Sequence, residues 1–202
     1  METCVYQLNV SLKGYQPRMW RRILVQNQMN LKELGLVLMR SFKMDGSHLS
    51  SFVVPVNLTS SEYLCRIFEE KGSCLGYRTK PSVAFSLQPE ERDEWDEEPN
   101  DASSAILSDM MMHEKENMAF LYDFGDGWEV TVKLEKILPF DPATAATLPQ
   151  TITGAGYGII EDCGGPFGLM HIREVLLQGE SHEEWDDIVD WIGDEDFDLD
   201  AF

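Results

Sequence analysis

Two sets of residues in this chain have the types and spacing to do chemistry. The first is carboxylate-rich. Asp123 and Asp126 sit in the run Tyr122-Asp123-Phe124-Gly125-Asp126-Gly127-Trp128-Glu129, and Glu161 and Asp162 open the run Glu161-Asp162-Cys163-Gly164-Gly165-Pro166. With His48 they make a candidate set for a divalent cation, and hence for a metal-dependent hydrolase, because carboxylate oxygens and an imidazole nitrogen are the ligands such ions take. Turn carboxylates also cap backbone N–H groups and face water, so Asp123, Asp126 and Glu129 have a purely structural alternative. The second set is basic and aromatic: Arg18, Trp20, Arg21 and Arg22 could hold phosphate or stack on a base in a nucleic-acid accessory module. Its alternative is pairing with neighbouring acids.

The charge distribution weighs on that choice. The net charge is −20 over 202 residues. Residues 1–80 hold 11 Lys or Arg and 6 Asp or Glu, a net +5, and residues 81–202 hold 5 and 30, a net −25. Such a field opposes tight, sequence-independent nucleic-acid binding, which depends on neutralising phosphates. The four cysteines, Cys4, Cys65, Cys74 and Cys163, have no paired zinc spacing and are expected free and reduced. The first residues lack the basic and apolar regions of a signal peptide, and no stretch approaches membrane-span length. A cytoplasmic protein, without a membrane association or a cofactor, is expected.

The elements that would position these residues follow from periodicity. Tyr6, Leu8, Val10 and Leu12 alternate with polar residues as a first strand, Gly14 to Pro17 reads as a turn, and Met19 to Val25 as its hairpin partner. Asn30 and Glu33 form a capping box for a helix bearing Leu31, Leu34, Leu38 and Phe42, in which Gly35 must be compensated by packing. Ser47 to Val54 reads as a third strand. Glu62 to Glu70 reads as a short helix, Ser82 to Leu87 as a strand, residues 90–101 as an acidic loop, and Ala105 to Glu114 as a Met-rich helix with Met110, Met111 and Met112 as core filler. Phe120, Tyr122 and Phe124 share one face of a strand, and Trp128, Val130, Val132 and Leu134 share one face of the next, so the motif between them is a hairpin turn. That turn requires positive φ at Gly125 or Gly127.

Residues 139–158 read as an irregular connection. Pro166 begins a helix with Leu169, Ile172, Val175 and Leu176 inward. After Gly179, a second capping box, Ser181 with Glu184, starts a helix whose Trp185, Ile188 and Ile192 are expected to be buried. Carboxylates at 161 and 162 would then lie beside the helix N-terminus, where they complement its free N–H groups. The acidic end carries Phe197 and Phe202 as apolar anchors. Together these elements predict one α+β domain over residues 1–202, a compact roll opening as hairpin, helix and strand, with a second hairpin and C-terminal helices. An irregular elaboration is expected around 55–104, with an acidic C-terminal tail.

The segments Tyr6 to Leu8, Pro17 to Val25, Leu31 to Leu34, Ser47-His48-Leu49 with Phe52, Tyr122 to Glu129, Leu134 to Lys136, Glu161 to Gly168 and Asp196-Phe197 together resemble, in order, the plasmid pRiA4b ORF-3-like family, some of whose members are labelled transposon passenger proteins of TnpR type. The resemblance implies a compact α+β roll in which Gly125, Gly127, Trp128, Gly164, Gly165 and Pro166 are structural motif positions. It brings no established activity. What it suggests is an uncharacterised, non-catalytic interaction or mobile-element accessory domain with a protein partner, to which the metal-dependent hydrolase and the nucleic-acid module are the alternatives. Where many relatives carry cysteines ahead of the Glu-Asp-Cys-Gly-Gly run, this chain has residues 151–160 without one, so no metal role rests on cysteine here.

Overall fold

The computed structural model describes residues 2–57, 59–71, 81–91 and 99–193. The strands are β1 (Cys4–Leu12), β2 (Trp20–Gln26), β3 (Ser50–Pro55), β4 (Ser82–Ser86), β5 (Asn100–Asp101), β6 (Asn117–Tyr122), β7 (Trp128–Pro139) and β8 (Gln150–Ala155). The helices are α1 (Leu31–Ser41), α2 (Glu62–Lys71), α3 (Leu107–Met110), α4 (Pro142–Ala145), α5 (Gly165–Gln178) and α6 (Trp185–Ile192). The strands form one open sheet in the order β5-β4-β3-β6-β7-β1-β2-β8, antiparallel except for β4 with β5. This is an α+β fold, as the sequence predicts. Of the acidic loop expected at 90–101, residues 92–98 lie outside the described residues, as do Cys74 and the tail with Phe197 and Phe202, and Asn100–Asp101 form the short strand β5 instead of loop.

The alternation read from sequence decides which sheet face makes the core. Tyr6, Leu8, Val10, Ile23, Val25, Phe52, Phe120, Tyr122, Trp128, Val130 and Val132 are buried together with Leu31, Leu34, Leu38 and Phe42 of α1 and Leu169, Ile172 and Leu176 of α5. The Asn30–Glu33 capping box is present in both directions. Gly35 has its compensation: a Cβ there would lie 2.3 Å from Leu87 Cδ2, so the missing side chain lets Leu87 pack onto α1. Glycines terminate both C-terminal helices, at Gly179 and Gly193.

Five expectations are corrected. The Met-rich helix is a single turn, α3, after which Met111 takes an extended backbone, and Met110 and Met111 are core while Met112 is half-buried. The connection at 139–158 contains β8, an edge strand whose six residues are all exposed; Thr- and Gly-rich sequence without an apolar face hid it. Phe124 is 59% exposed instead of continuing the inward face, because the chain leaves the strand at Asp123. Trp185, Ile188 and Ile192 touch the core but are only half-buried, since α6 packs mainly against α5 and the turn before it. The predicted capping box is absent there as well: Ser181 donates to the Gln178 carbonyl and Glu184 gives no side-chain cap.

Candidate functional site

Three loops meet at one edge of the core. The first follows α1 and carries Asp45, Gly46 and His48. The second joins β6 to β7. Here Tyr122 pairs with Trp128 and residues 123–127 form the loop. Positive φ falls on Gly127 (+70°), as the turn requires, and on Asp123 (+49°). The third loop precedes α5, with Asp162 at φ +55°. Left-handed backbone is uncommon outside glycine, and only Lys43 and Lys115 share it among the described non-glycine residues. Both aspartates are therefore held in place by their surroundings.

Those surroundings are backbone ties. The Asp123 N–H donates to the Leu49 carbonyl (3.1 Å), fixing the second loop beside His48. Asp123 Oδ1 accepts from Gly125 N–H (2.9 Å). The Gly164 N–H donates to Asp126 Oδ2 (3.2 Å), joining the second loop to the third. At Gly168 the approach of chain to chain is closest, for a Cβ would fall 1.6 Å from the Cys163 carbonyl oxygen.

The result is a convergence of His48 with acids from both other loops. His48 Nδ1 lies 3.7 Å from Asp123 Oδ1, and Nε2 lies 3.7 Å from Asp162 Oδ1 and 3.9 Å from Glu161 Oε2. Ligand atoms of His48, Asp123 and Asp162 all fall within 4.8 Å of one another. These gaps are too long for direct hydrogen bonds. An imidazole gives one nitrogen to one ion, so the spacing that bears on a shared ion is the 4.8 Å within which one atom of each residue falls, against roughly 3.4 Å between atoms that each sit about 2.1 Å from one tetrahedral ion; side-chain rotation by more than about an ångström would have to draw the ligands in.

Glu161 is positioned by groups the sequence analysis did not single out. Its Oε1 accepts from the Asp45 N–H (2.8 Å) and lies 3.0 Å from the Tyr122 hydroxyl, which also reaches Asp45 Oδ1 (2.9 Å) and accepts from Gly46 N–H (3.1 Å). Its Oε2 is buried and has no hydrogen-bond partner among the described residues. Burial accordingly raises the Glu161 pKa, with the neighbouring Asp45 charge adding to it, against hydrogen bonds from Asp45 N–H and Tyr122 that lower it. Burial and its bonds to the two carboxylates also raise Tyr122, and burial pushes the Cys163 thiol up to about 12, so near neutral pH it is not a thiolate nucleophile.

Of the carboxylates read from sequence, the structure brings Asp123, Glu161 and Asp162 to His48 and places Asp126 elsewhere, on the Gly164 N–H. Glu129 is buried and pairs with Lys13 at 2.8 Å. Glu161 lies by Asp45 and Tyr122 and does not cap α5. Asp45 and Tyr122 carried a signal, the Asp45-Gly46 turn and the first residue of the Tyr122 to Glu129 run, but a tyrosine in register with Phe120 reads only as core.

The arginine set is differently built. Arg21 donates to the carbonyls of Ser41, Trp20, Ala155, Gly156 and Tyr157. Arg22 makes a two-pronged pair with Glu135 at 2.6 and 3.1 Å, and Arg18 donates to Asn9 Oδ1 (2.8 Å). The Arg18 and Arg22 guanidinium groups both lie over the Trp20 ring.

The segments that meet here, around His48, Asp123 and Glu161, are those that carried the family resemblance. The family profile, plasmid pRiA4b ORF-3-like protein, matches residues 4–202. The chain belongs to this family. It is 29% identical over 199 residues to the uncharacterized protein y4hQ of Sinorhizobium fredii (strain NBRC 101917 / NGR234), covering 98% of this chain and 86% of that one. Its fold is similar to the crystal structure of a protein of unknown function, MM3350, from Methanosarcina mazei Go1, with a TM-score of 0.72, 29% identity and coverage of 98% and 93% of the two chains. No helix among the described residues is long and apolar enough to cross a membrane.

Proposed function

We propose that this family member binds a divalent cation between His48, Asp123, Asp162 and Glu161, and that the chemistry the site serves is metal-dependent hydrolysis. One observation carries the reading: an imidazole and carboxylates from three loops converge, with Glu161 Oε2 buried beside His48 and lacking a partner. A buried carboxylate oxygen without a partner is costly, and a cation satisfies it. One nitrogen with several oxygens suits zinc, manganese or iron(II) better than calcium or magnesium, which favour all-oxygen shells. The Asp162 side chain is 77% exposed, so the site is open to solvent, as catalytic metal sites are. A bound ion would supply Lewis acidity and a water of lowered pKa.

The test is thermal unfolding and calorimetric titration of chelator-treated protein with zinc, manganese, magnesium and calcium. Zinc or manganese is expected to stabilise the fold, by about 2.7 kcal/mol at a hundredfold excess over the dissociation constant. His48→Ala and Asp123→Asn should each abolish the gain. No shift with any cation, or a shift retained in His48→Ala, rejects the site.

A second reading, an accessory domain that docks on a protein, draws support from a different surface. Phe167, Leu177 and Trp191 on α5 and α6 are 79, 54 and 50% exposed. Trp191→Ser would weaken such docking and leave cation binding intact. A mobile-element role rests on the family label alone. A nucleic-acid role has least support, because Arg21 and Arg22 are already engaged.

A further inference from the structure

A cavity of about 410 Å³ adjoins the ligand group and has a different character. Val53, Ala84, Leu121, Phe124 and Trp128 line it, and Asp123 belongs both to this cavity and to the cluster around His48. Val53 and Leu121 form, with Ala119, an apolar cluster separate from the main core, as strand alternation requires of residues flanking Phe52, Phe120 and Tyr122. Phe124, turned out of the core by the left-handed backbone at Asp123, leaves an aromatic ring exposed among these lining residues. The volume falls in the range of small-molecule sites, and apolar walls with few polar groups are their usual make-up.

We infer that this cavity is the specificity pocket of the metal site proposed above, and that it receives the apolar acyl group of a small, uncharged ester or amide. The inference rests on the cation reading. Asp123 is common to the cavity and the ligand group, so an occupant whose apolar end lies against Val53, Leu121 and Phe124 would bring its polar end past Asp123 to that group. Charge selects the class. Asp123, Asp126, Glu161 and Asp162 crowd this edge with no Lys or Arg paired to them among the described residues, in a chain of net charge −20, so phosphoesters and other polyanions are repelled and a neutral carbonyl is not. In the reaction, the water oxygen bonds to the acyl carbon and the carbon–heteroatom bond breaks. The acyl group leaves as a carboxylic acid, and the departing alcohol or amine takes the proton.

Hydroxamates, which pair a metal-binding head with an acyl chain, separate this inference from the cation reading. Zinc-loaded protein would be titrated with acetohydroxamate and hexanohydroxamate. Both should bind only when zinc is present, and the longer one at least tenfold more tightly, since each buried methylene contributes about fourfold in affinity. Ala84→Phe, or Ser51→Phe should the first variant fail to fold, fills the cavity. Either should erase the chain-length advantage while leaving zinc and acetohydroxamate affinities unchanged. Equal affinity of the two hydroxamates for the parent protein, or an advantage that survives the filled cavity, overturns the pocket and leaves the cation site standing. Failure of zinc itself to bind overturns the cation site, and the pocket assignment falls with it.

Discussion

Two clusters of charged side chains in this molecule are built on opposite terms. Around Trp20, every arginine has partners: Arg21 on five carbonyls, Arg22 on both oxygens of Glu135, Arg18 on Asn9. Around His48, Asp123, Glu161 and Asp162 face one imidazole across gaps of 3.7 to 3.9 Å, and no Lys or Arg pairs with them among the described residues. Charge matched inside the chain stabilises the chain; charge left unmatched on a well-tied scaffold is disposed toward something else. The arginines are thus structural glue, and the acids are the better candidates for function; in sequence both were candidates for binding, with only the overall charge weighing against the arginines.

The contrast implies that the acidic site depends on its backbone frame above all. Gly168→Ala tests this most severely. Its Cβ would overlap the Cys163 carbonyl oxygen, which is backbone and cannot swing aside, so residues 161–165 must shift. A loss of more than about 3 kcal/mol in urea unfolding is expected, together with loss of cation-induced stabilisation. A fully stable variant that still responds to cation would show that the third loop does not hold the acids.

Arg21→Met comes next. It keeps much of the aliphatic stem and deprives the carbonyls of Ser41, Ala155, Gly156 and Tyr157 of a charged donor, which ties β8 and the loop after it to α1. About 2–4 kcal/mol of stability should be lost in urea titration. The cation midpoint of the folded fraction should not change. A variant as stable as the parent would place the arginine cluster among free binding surfaces after all.

How much of this was legible in sequence follows from which interactions are local. Strands bearing Leu8, Phe52, Phe120 and Val130, the Asn30 cap and the α5 face of Leu169 and Ile172 rest on period and capping, which lie within a few residues, and they appear where expected. His48, Asp123, Glu161 and Asp162 could be named as candidates by type. Their convergence, and the departure of Asp126 to Gly164, depend on three loops separated by up to 114 positions. Asp45 and Tyr122 could not be seen as organisers, because alternation only marks Tyr122 as core. The strand β8 was hidden for a different reason: an exposed edge has no buried face to leave a pattern.

The smallest effect, and the sharpest discriminator, comes from two glutamates shifted in opposite directions. The Arg22 hydrogen bond holds the Glu135 carboxyl below its ordinary value of 4.5, helped by Gln7 and opposed by desolvation. Burial holds Glu161 above the same value. For Glu135 the folded state binds its proton less readily than the unfolded chain, so its contribution is present above the ordinary value and is lost as pH falls through the folded one. For Glu161 the folded state binds the proton more readily, so its contribution is favourable in acid and is lost as pH rises from 4.5 through the raised folded value. Glu135→Gln should therefore lower stability at pH 7, by less than Arg21→Met does, and the deficit should shrink toward pH 3. Glu161→Gln should raise the stability of the chelator-treated protein at pH 7, by about 0.5–1 kcal/mol, with the gain vanishing in acid. Its amide keeps an oxygen for the Asp45 N–H and Tyr122 and places a donor where Oε2 was buried without one. Urea midpoints of both variants from pH 3 to pH 8 read the two slopes directly. Slopes of the same sign would mean that Glu161 is matched by its surroundings as Glu135 is, and the distinction between the two clusters would collapse.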